Sequence, residues 1–328
     1  MAFKVLVTAR AFWSSGEAAN DLLVTAGCDV VRSATFGPLT ESEVIAQLRG
    51  CDAVIASSDA YTEAVFAVHP GLKVVSRWGV GIDSVDLEAA TQAGVIATNT
   101  PGAMVEAVAD YTFGLLLATA RRIVEGDRLM RSGGWDEMPG TLVYGKTLGL
   151  VGAGRIGQAV ARRAAGFGMR VLAFDPPLQA GGGKVEIEFV DLDELLERSD
   201  FVCLHAPSLP ETKGMFDAKR FAQMKRSAYF INTARGALVD ETDLLAALET
   251  GRIAGAAIDV YQQEPLPADH PLRNAPRCVL SPHNSSNALE STATMSLMAA
   301  ENVLAVMQGE RPQHLCNPEV WDSPKRRV

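Results

Sequence analysis

Short, wholly apolar runs recur along the chain, separated by segments in which apolar residues return every three or four positions. The first pattern predicts buried strands and the second amphipathic helices. Lys4 to Thr8, Asp29 to Arg32, Asp52 to Ala56, Lys73 to Ser76 and Val95 to Thr98 are predicted strands. Helices are predicted near Glu17 to Thr25, from Thr40 to about Arg49, and over Leu87 to Ala93. The second of these opens with Thr40-Glu41-Ser42-Glu43, the spacing of a capping box. Strands that are apolar throughout, rather than alternating, belong to a parallel sheet covered on both faces. Residues 1–99 therefore predict one doubly wound α/β unit.

Asn99-Thr100-Pro101-Gly102 interrupts the pattern. Met104 to Arg121 follows as a long apolar helix, read as the crossing between two domains, and Arg131-Ser132-Gly133-Gly134-Trp135 as a loop. A second alternation comes next. Its predicted strands are Thr147 to Val151, Arg170 to Phe174, Phe201 to Leu204, Ala228 to Asn232, Ala254 to Val260 and Cys278 to Ser281. Its predicted helices are Gln158 to Phe167, Asp191 to about Arg198, Phe221 to Met224 and Asp240 to Glu249. The glycine-rich segment Gln179 to Gly183 is expected to be mobile. A final helix, about Asn287 to Gln308, carries Met295, Leu297, Met298, Val303, Leu304 and Met307, which predict a packing surface.

The second alternation opens on Gly152-Ala153-Gly154-Arg155-Ile156-Gly157, a G-x-G-x-x-G set between a strand and a helix. Gly152 permits the tight turn, Gly154 lacks a Cβ that would block a pyrophosphate, and Gly157 lets helix and strand pack closely. The helix N-terminus then offers free N–H groups and a positive dipole end to phosphates. Asp175 follows Gly152 by 175 − 152 = 23 residues, at the end of the next strand, where a carboxylate can accept the ribose hydroxyls of NAD. Pro176-Pro177 follows it with no nearby arginine for a 2′-phosphate, so NAD is the expected cofactor rather than NADP.

Composition narrows the remaining classes. With 328 residues, 48% hydrophobic, the chain has material for about two domains. A net charge of −9 argues against a general nucleic-acid surface. The basic cluster Lys325-Arg326-Arg327 reads as a solvated end. The chain has no apolar run of membrane-spanning length and no signal-peptide layout, so a cytoplasmic protein with no membrane partner is expected. Cys28, Cys51, Cys203, Cys278 and Cys316 are scattered and odd in number, without C-x-x-C, which fits free thiols rather than zinc or disulfides.

Ligands of parallel sheets bind beyond the carboxyl ends of the strands. Arg235, Glu264 and His283 each follow a different strand of the second domain. Arg235 offers a fork of donors suited to a carboxylate and a neighbouring carbonyl oxygen. His283 is an acid/base candidate, and Glu264 a partner for its second ring nitrogen that stabilises the imidazolium and keeps a proton available for a developing alkoxide. His205 is the rival histidine, also at a strand end but with no carboxylate partner apparent in sequence. His69, His270 and His314 read as structural.

GAGRIG, NTARG, AAIDVYQQEP and SPHNSS stand in the order and context of the D-isomer-specific 2-hydroxyacid dehydrogenases, which the chain resembles from about residue 50 to residue 310. GKTLGLVGAGRIG and ALVDETDLLAALETGRIAGAAIDV look most like the phosphoglycerate dehydrogenase branch. The resemblance implies a Rossmann NAD-binding domain, residues 100–287, inserted in a flavodoxin-like substrate domain, residues 1–99 and 288–328. It implies an Arg235/Glu264/His283 catalytic trio acting on a small 2-oxo or 2-hydroxy acid and NAD(H), with domains that close on the reactants. It places Arg155 and Ile156 over the pyrophosphate, Asp259 on the nicotinamide carboxamide, backbone N–H groups around Val80-Gly81 on the substrate carboxylate, and Arg77 near the substrate. Glu264 distinguishes the chain from the formate dehydrogenases, which carry glutamine there.

Ala56 and Gly102-Ala103-Met104 stand where the phosphoglycerate enzymes place phosphate-binding side chains, and the chain ends at Val328 without their appended regulatory domains. A small, less charged acid is therefore expected over the alternative, D-3-phosphoglycerate in serine biosynthesis. An NAD-sensing corepressor is a further alternative. The apolar helix Met104 to Arg121, with Leu115, Leu116 and Leu117 in succession, predicts a homodimer.

Overall fold

The computed structural model describes residues 2–178 and 186–327, so the expectation for Gln179 to Gly183 lies outside the described residues. The chain forms two compact units, one of residues 1–104 and 287–328 and the other of Val105–Ser286.

The first unit alternates β1 (Phe3–Val7), α1 (Phe12–Ser15), α2 (Glu17–Thr25), β2 (Cys28–Arg32), α3 (Glu41–Gln47), β3 (Ala53–Ala56), α4 (Glu63–Val68), β4 (Val74–Arg77), α5 (Leu87–Ala93) and β5 (Ile96–Thr98). All pairings are parallel, in the order β2-β1-β3-β4-β5. Side chains alternate between faces: Val5, Val7, Ala53, Ile55, Val74 and Ile96 join one core, and Leu6, Val54, Ala56, Val75 and Ala97 the other. Helix α3 begins where the capping box predicts, with the Glu43 carboxylate accepting the Thr40 backbone N–H at 2.8 Å and its hydroxyl at 2.7 Å. Ala103 and Met104 pack against the first of these cores, and so the unit runs past the Asn99-Thr100-Pro101-Gly102 turn where its end was expected.

The second unit opens with α6 (Val105–Ala120) and α7 (Ile123–Arg131). There follow β6 (Thr147–Val151), α8 (Arg155–Gly166), β7 (Arg170–Phe174), β8 (Glu188–Phe189), α9 (Leu192–Arg198), β9 (Phe201–Leu204), α10 (Ala218–Gln223), β10 (Tyr229–Asn232), α11 (Glu241–Glu249), β11 (Gly255–Ile258) and β12 (Cys278–Leu280). Its parallel sheet has the order β12-β11-β10-β9-β6-β7-β8, so the chain reverses direction across the sheet between β6 and β9, as in doubly wound dinucleotide folds. One face packs on α6 and α8 through Leu148, Leu150, Val171, Phe201 and Ile231. The other packs on α9, α10 and α11 through Leu172, Val202, Leu204, Phe230 and Ile258.

The last helix, α12 (Leu289–Met307), belongs to the first unit. Its buried Met295, Ala299, Ala300 and Val303 cover the face of Val5, Val7 and Ile55. This is why residues far apart in sequence form one unit: α12 covers that face together with Phe12, Ala19 and Leu23 of α1 and α2, at roughly 1.5–3 kcal/mol per large apolar side chain. Leu297 is exposed, so the packing surface comprises fewer residues than expected.

Of the apolar succession on α6, Leu115 and Leu116 are buried and Leu117 is half-buried against the same core. Helix α7, not expected at all, follows a left-handed residue, Arg122 at φ 56°, and has no buried residue. The basic tail is docked rather than solvated. Arg327 donates to the carbonyls of Phe66, His69 and Leu72, Arg326 lies 4.0 Å from the Trp321 ring centroid, and a Cβ on Gly94 would fall 1.9 Å from the Lys325 carbonyl oxygen.

All five cysteines are free thiols, and burial raises the pKa of each. Among the described residues no cluster could hold a metal ion, and no helix is long and apolar enough to cross a membrane.

Candidate active site

The glycine loop joins β6 to α8, and each glycine has a separate physical reason to be there. Gly152 adopts φ 98°, and a Cβ on it would lie 2.7 Å from the carbonyl carbon and oxygen of His205, at the end of the neighbouring β9. A Cβ on Gly157 would lie 2.3 Å from the Gly152 carbonyl oxygen, so Gly157 allows α8 to pack against the loop. Gly154 is different: a Cβ there would meet nothing within 4 Å. Packing does not demand glycine at that position, and the open space leaves room for a phosphate.

Gly154 is the N-cap of α8, whose first residues are Arg155, exposed, and Ile156, half-buried. At the end of β7, one oxygen of Asp175 accepts the Ala153 backbone N–H at 2.8 Å. The carboxylate thus shapes the loop while lying where ribose hydroxyls would be held. An open cradle, a helix N-terminus and an acidic residue at the second strand fit NAD.

β10, β11 and β12 are adjacent and parallel, so their carboxyl ends lie side by side, with neighbouring strands about 4.8 Å apart. This adjacency gathers residues 235, 259–264 and 283. Beyond β10, the buried Asn232 side chain accepts the Ala234 N–H and donates to the Arg235 carbonyl, both at 3.0 Å. Thr233 Oγ1 meets Thr112 Oγ1 of α6 at 2.9 Å. Half-buried Arg235 has one guanidinium nitrogen on the Ala234 carbonyl at 2.7 Å. A Cβ on the next residue, Gly236, would fall 1.9 Å from the Tyr261 carbonyl carbon, so the Arg235 turn lies directly on the backbone beyond β11.

His283 Nδ1 and Glu264 Oε2 are 2.6 Å apart, and Glu264 Oε1 accepts the Tyr261 N–H at 3.0 Å. Glu264 therefore occupies Nδ1, and Nε2 is the nitrogen that can exchange a proton with substrate. The His283 side chain is 36% exposed, enough for a reactant to reach it.

His283 has φ 52°, a left-handed conformation that an L-residue adopts only when held there. The holder is Asp259. Its carbonyl accepts the His283 N–H at 2.7 Å, and its fully buried carboxylate accepts the Asn284 and Ser285 N–H groups at 2.8 and 2.9 Å. The Tyr261 hydroxyl, on the Ser281 carbonyl at 2.9 Å, and Tyr111, 2.6 Å from Ser281 Oγ, brace the same turn. Sequence reasoning missed Asn232, Tyr261 and Tyr111; only Asn232, directly before Thr233-Ala234-Arg235, carried a local signal.

His205 is a poor rival. Its Nε2 is buried with no hydrogen-bond partner among the described residues, and burial pushes its pKa down to about 4, so at neutral pH it has no proton to deliver.

The residues expected to touch substrate from the first unit lie at the end of β4 and just after it. Arg77 donates to the Trp78 carbonyl and, at 3.1 Å, to Ser58 Oγ. Gly79, at φ 136°, leaves room for that guanidinium, since a Cβ there would lie 2.5 Å from Arg77 Nη1. Gly79 exchanges hydrogen bonds with Thr100, and the Val80 carbonyl accepts Asn99 Nδ2 at 2.8 Å. Val80 is exposed and Gly81 half-buried.

The family model for the D-isomer specific 2-hydroxyacid dehydrogenase NAD-binding domain matches residues 113–285. A glyoxylate reductase of Korarchaeum cryptofilum is 45% identical over 291 residues, covering 86% of this chain and 88% of that protein. A D-3-phosphoglycerate dehydrogenase of Methanocaldococcus jannaschii is 38% identical and covers 85% of this chain but 54% of its own length. The crystal structure of the TT0316 protein from Thermus thermophilus is 41% identical, with a TM-score of 0.86 over 95% of this chain and 99% of that one. The chain belongs to the D-isomer-specific 2-hydroxyacid dehydrogenase family. It is an NAD-dependent oxidoreductase acting on the CH–OH group of 2-hydroxy acids.

Proposed function

We propose that the protein interconverts a small D-2-hydroxy acid and its 2-oxo acid, of the glyoxylate, hydroxypyruvate or pyruvate type, with Arg235, Glu264 and His283 as the catalytic groups. Bound NADH supplies the hydride. Arg235 pairs with the substrate carboxylate and polarises the adjacent carbonyl oxygen. His283 Nε2 donates a proton to that oxygen as it becomes an alkoxide, and in the reverse direction accepts it. Glu264 fixes the ring orientation and stabilises the imidazolium. The observation that carries this reading is the 2.6 Å contact between His283 Nδ1 and Glu264 Oε2.

Gly152, Gly154, Arg155, Ile156, Gly157 and Asp175 hold the dinucleotide, and Asp259 takes the nicotinamide carboxamide in addition to its bonds to the turn. Arg77 and the backbone around Val80-Gly81 hold substrate. A preference for small acids rests on the positions that lack phosphate donors. Ala56 is buried and apolar, and Gly102-Ala103-Met104 offers no side-chain donor, so a dianionic phosphate would be severely undercompensated. The naming of the Korarchaeum relative as a glyoxylate reductase supports the same preference.

The protein is proposed to work in the cytoplasm as a homodimer. Uncovered apolar side chains concentrate at Ile123, Met130, Trp135, Leu142 and Tyr144, with Trp135 88% exposed. A panel of 2-oxo acids assayed with NADH tests the function; failure of every small 2-oxo acid to oxidise NADH would overturn it.

A further inference from the structure

We infer that Glu241 is a positioning residue for the catalytic pair, holding the short stretch of backbone on which the Arg235 turn and the Glu264 loop both rest; this rests on the catalytic reading above. That stretch is the two consecutive peptides that meet at the Tyr261 Cα. On the second, Tyr261–Gln262, Gly236 lies so closely that a Cβ would sit 1.9 Å from the Tyr261 carbonyl carbon and 2.4 Å from the Gln262 nitrogen. Onto the first, Val260–Tyr261, Glu264 folds back to accept the Tyr261 N–H. A displacement at Tyr261 therefore moves Arg235 through Gly236, and His283 through Glu264.

Glu241, the first residue of α11, fixes the Tyr261–Gln262 peptide. Its Oε1 accepts the Gln262 N–H at 2.8 Å, and the Gln262 side chain donates to the Val239 carbonyl at 2.6 Å, just before the same helix. Glu241 Oε2 is in turn 3.3 Å from His270 Nε2, and the carboxylate is 12% exposed. His270 Nδ1 accepts the Leu272 N–H at 3.4 Å, which turns Nε2 toward the Glu241 carboxylate. One carboxylate oxygen is thus on the Gln262 N–H while the other faces His270. None of these groups touches the reacting atoms; they act by fixing the ones that do.

The test is a kinetic cycle on the full chain with glyoxylate and NADH, using Glu241→Ala, Glu241→Gln, Glu264→Gln and the Glu241→Ala/Glu264→Gln double variant. Misplacing the pair lowers kcat for Glu241→Ala by about 10- to 100-fold. KM for glyoxylate rises as well, because Arg235 moves, while Kd for NADH stays within a factor of about two. Glu241→Gln, which keeps an oxygen for the Gln262 N–H, recovers most of the loss. In the Glu264→Gln background the Glu241→Ala change costs less than it does in the wild type, because the part transmitted through Glu264 is already lost. If Glu241→Ala fails to fold, the same cycle with His270→Asn, which removes the second hold on the carboxylate, reads the same non-additivity. Unchanged kcat with only a lowered Tm, or losses that multiply independently, would overturn the inference. Wild-type turnover by Glu264→Gln would instead sink the catalytic reading itself.

Discussion

The Asp259 carboxylate accounts for the shape of the His283 turn, and its removal should be expensive in a measurable way. Asp259→Ala deletes the acceptor of two backbone N–H groups, at 2.8 and 2.9 Å, from a site with no solvent exposure. Hydrogen bonds to a charged group contribute about 1.5–3 kcal/mol each, so the pair represents about 3–6 kcal/mol. That is a large share of the roughly 5–15 kcal/mol by which domains are stable. For a unit of this size each kcal/mol moves Tm by about 2–4 °C, so a fall of at least about 6 °C is expected. The left-handed conformation of His283 costs about 1–2 kcal/mol for an L-residue, and without Asp259 the turn relaxes from it. Activity then falls with stability. Calorimetry gives Tm, and hydrogen–deuterium exchange at Asn284 and Ser285 reads the turn directly. A variant melting within about 2 °C of wild type, with both amides still protected, would refute the assignment. Asp259→Asn retains one acceptor and should lose about half as much.

Three further outcomes are expected. Steady-state kinetics should favour NAD over NADP, because the Asp175 carboxylate would face a 2′-phosphate with no arginine beside it; the reverse preference would remove that reading. Gly236→Ala should abolish most activity and cost at least about 1–3 kcal/mol, measured by chemical denaturation, because its Cβ meets backbone rather than a movable side chain. Light scattering at micromolar concentration should give a dimer that Trp135→Glu dissociates, and a monomeric wild type would count against the proposed assembly.

Much of the fold was legible because strands buried on both faces read as apolar runs, and Thr147–Val151, Arg170–Phe174 and Phe201–Leu204 were bounded by sequence alone. The two-residue β8 is too short to carry a period, whereas α7 does carry one, its Ile123, Val124, Leu129 and Met130 returning at helical spacing, and was overlooked although none of its residues is fully buried. The basic tail misled for a different reason: Arg327 is satisfied by three carbonyls from a distant segment, and long-range contacts of that kind leave no local trace. In the site, Arg235, Glu264 and His283 were visible as polar residues after strands. What brings them together, the adjacency of β10, β11 and β12, needed the sheet order. Asp259 caps the His283 turn through two backbone amides that no local sequence pattern joins to it. Glu241 has partners that the sequence does not show, because Gln262 and His270 reach it only in the fold.

The central claim is that His283, oriented by Glu264, is the acid/base of a 2-oxo acid reductase, and one comparison tests it most directly. Wild type and His283→Asn are assayed for NADH oxidation by glyoxylate and hydroxypyruvate, with NADH affinity followed by fluorescence titration. The expected result is turnover by the wild type and a kcat lower by about 10²- to 10⁴-fold in the variant, while NADH affinity changes by less than about twofold. A His283→Asn protein with wild-type kcat would contradict it.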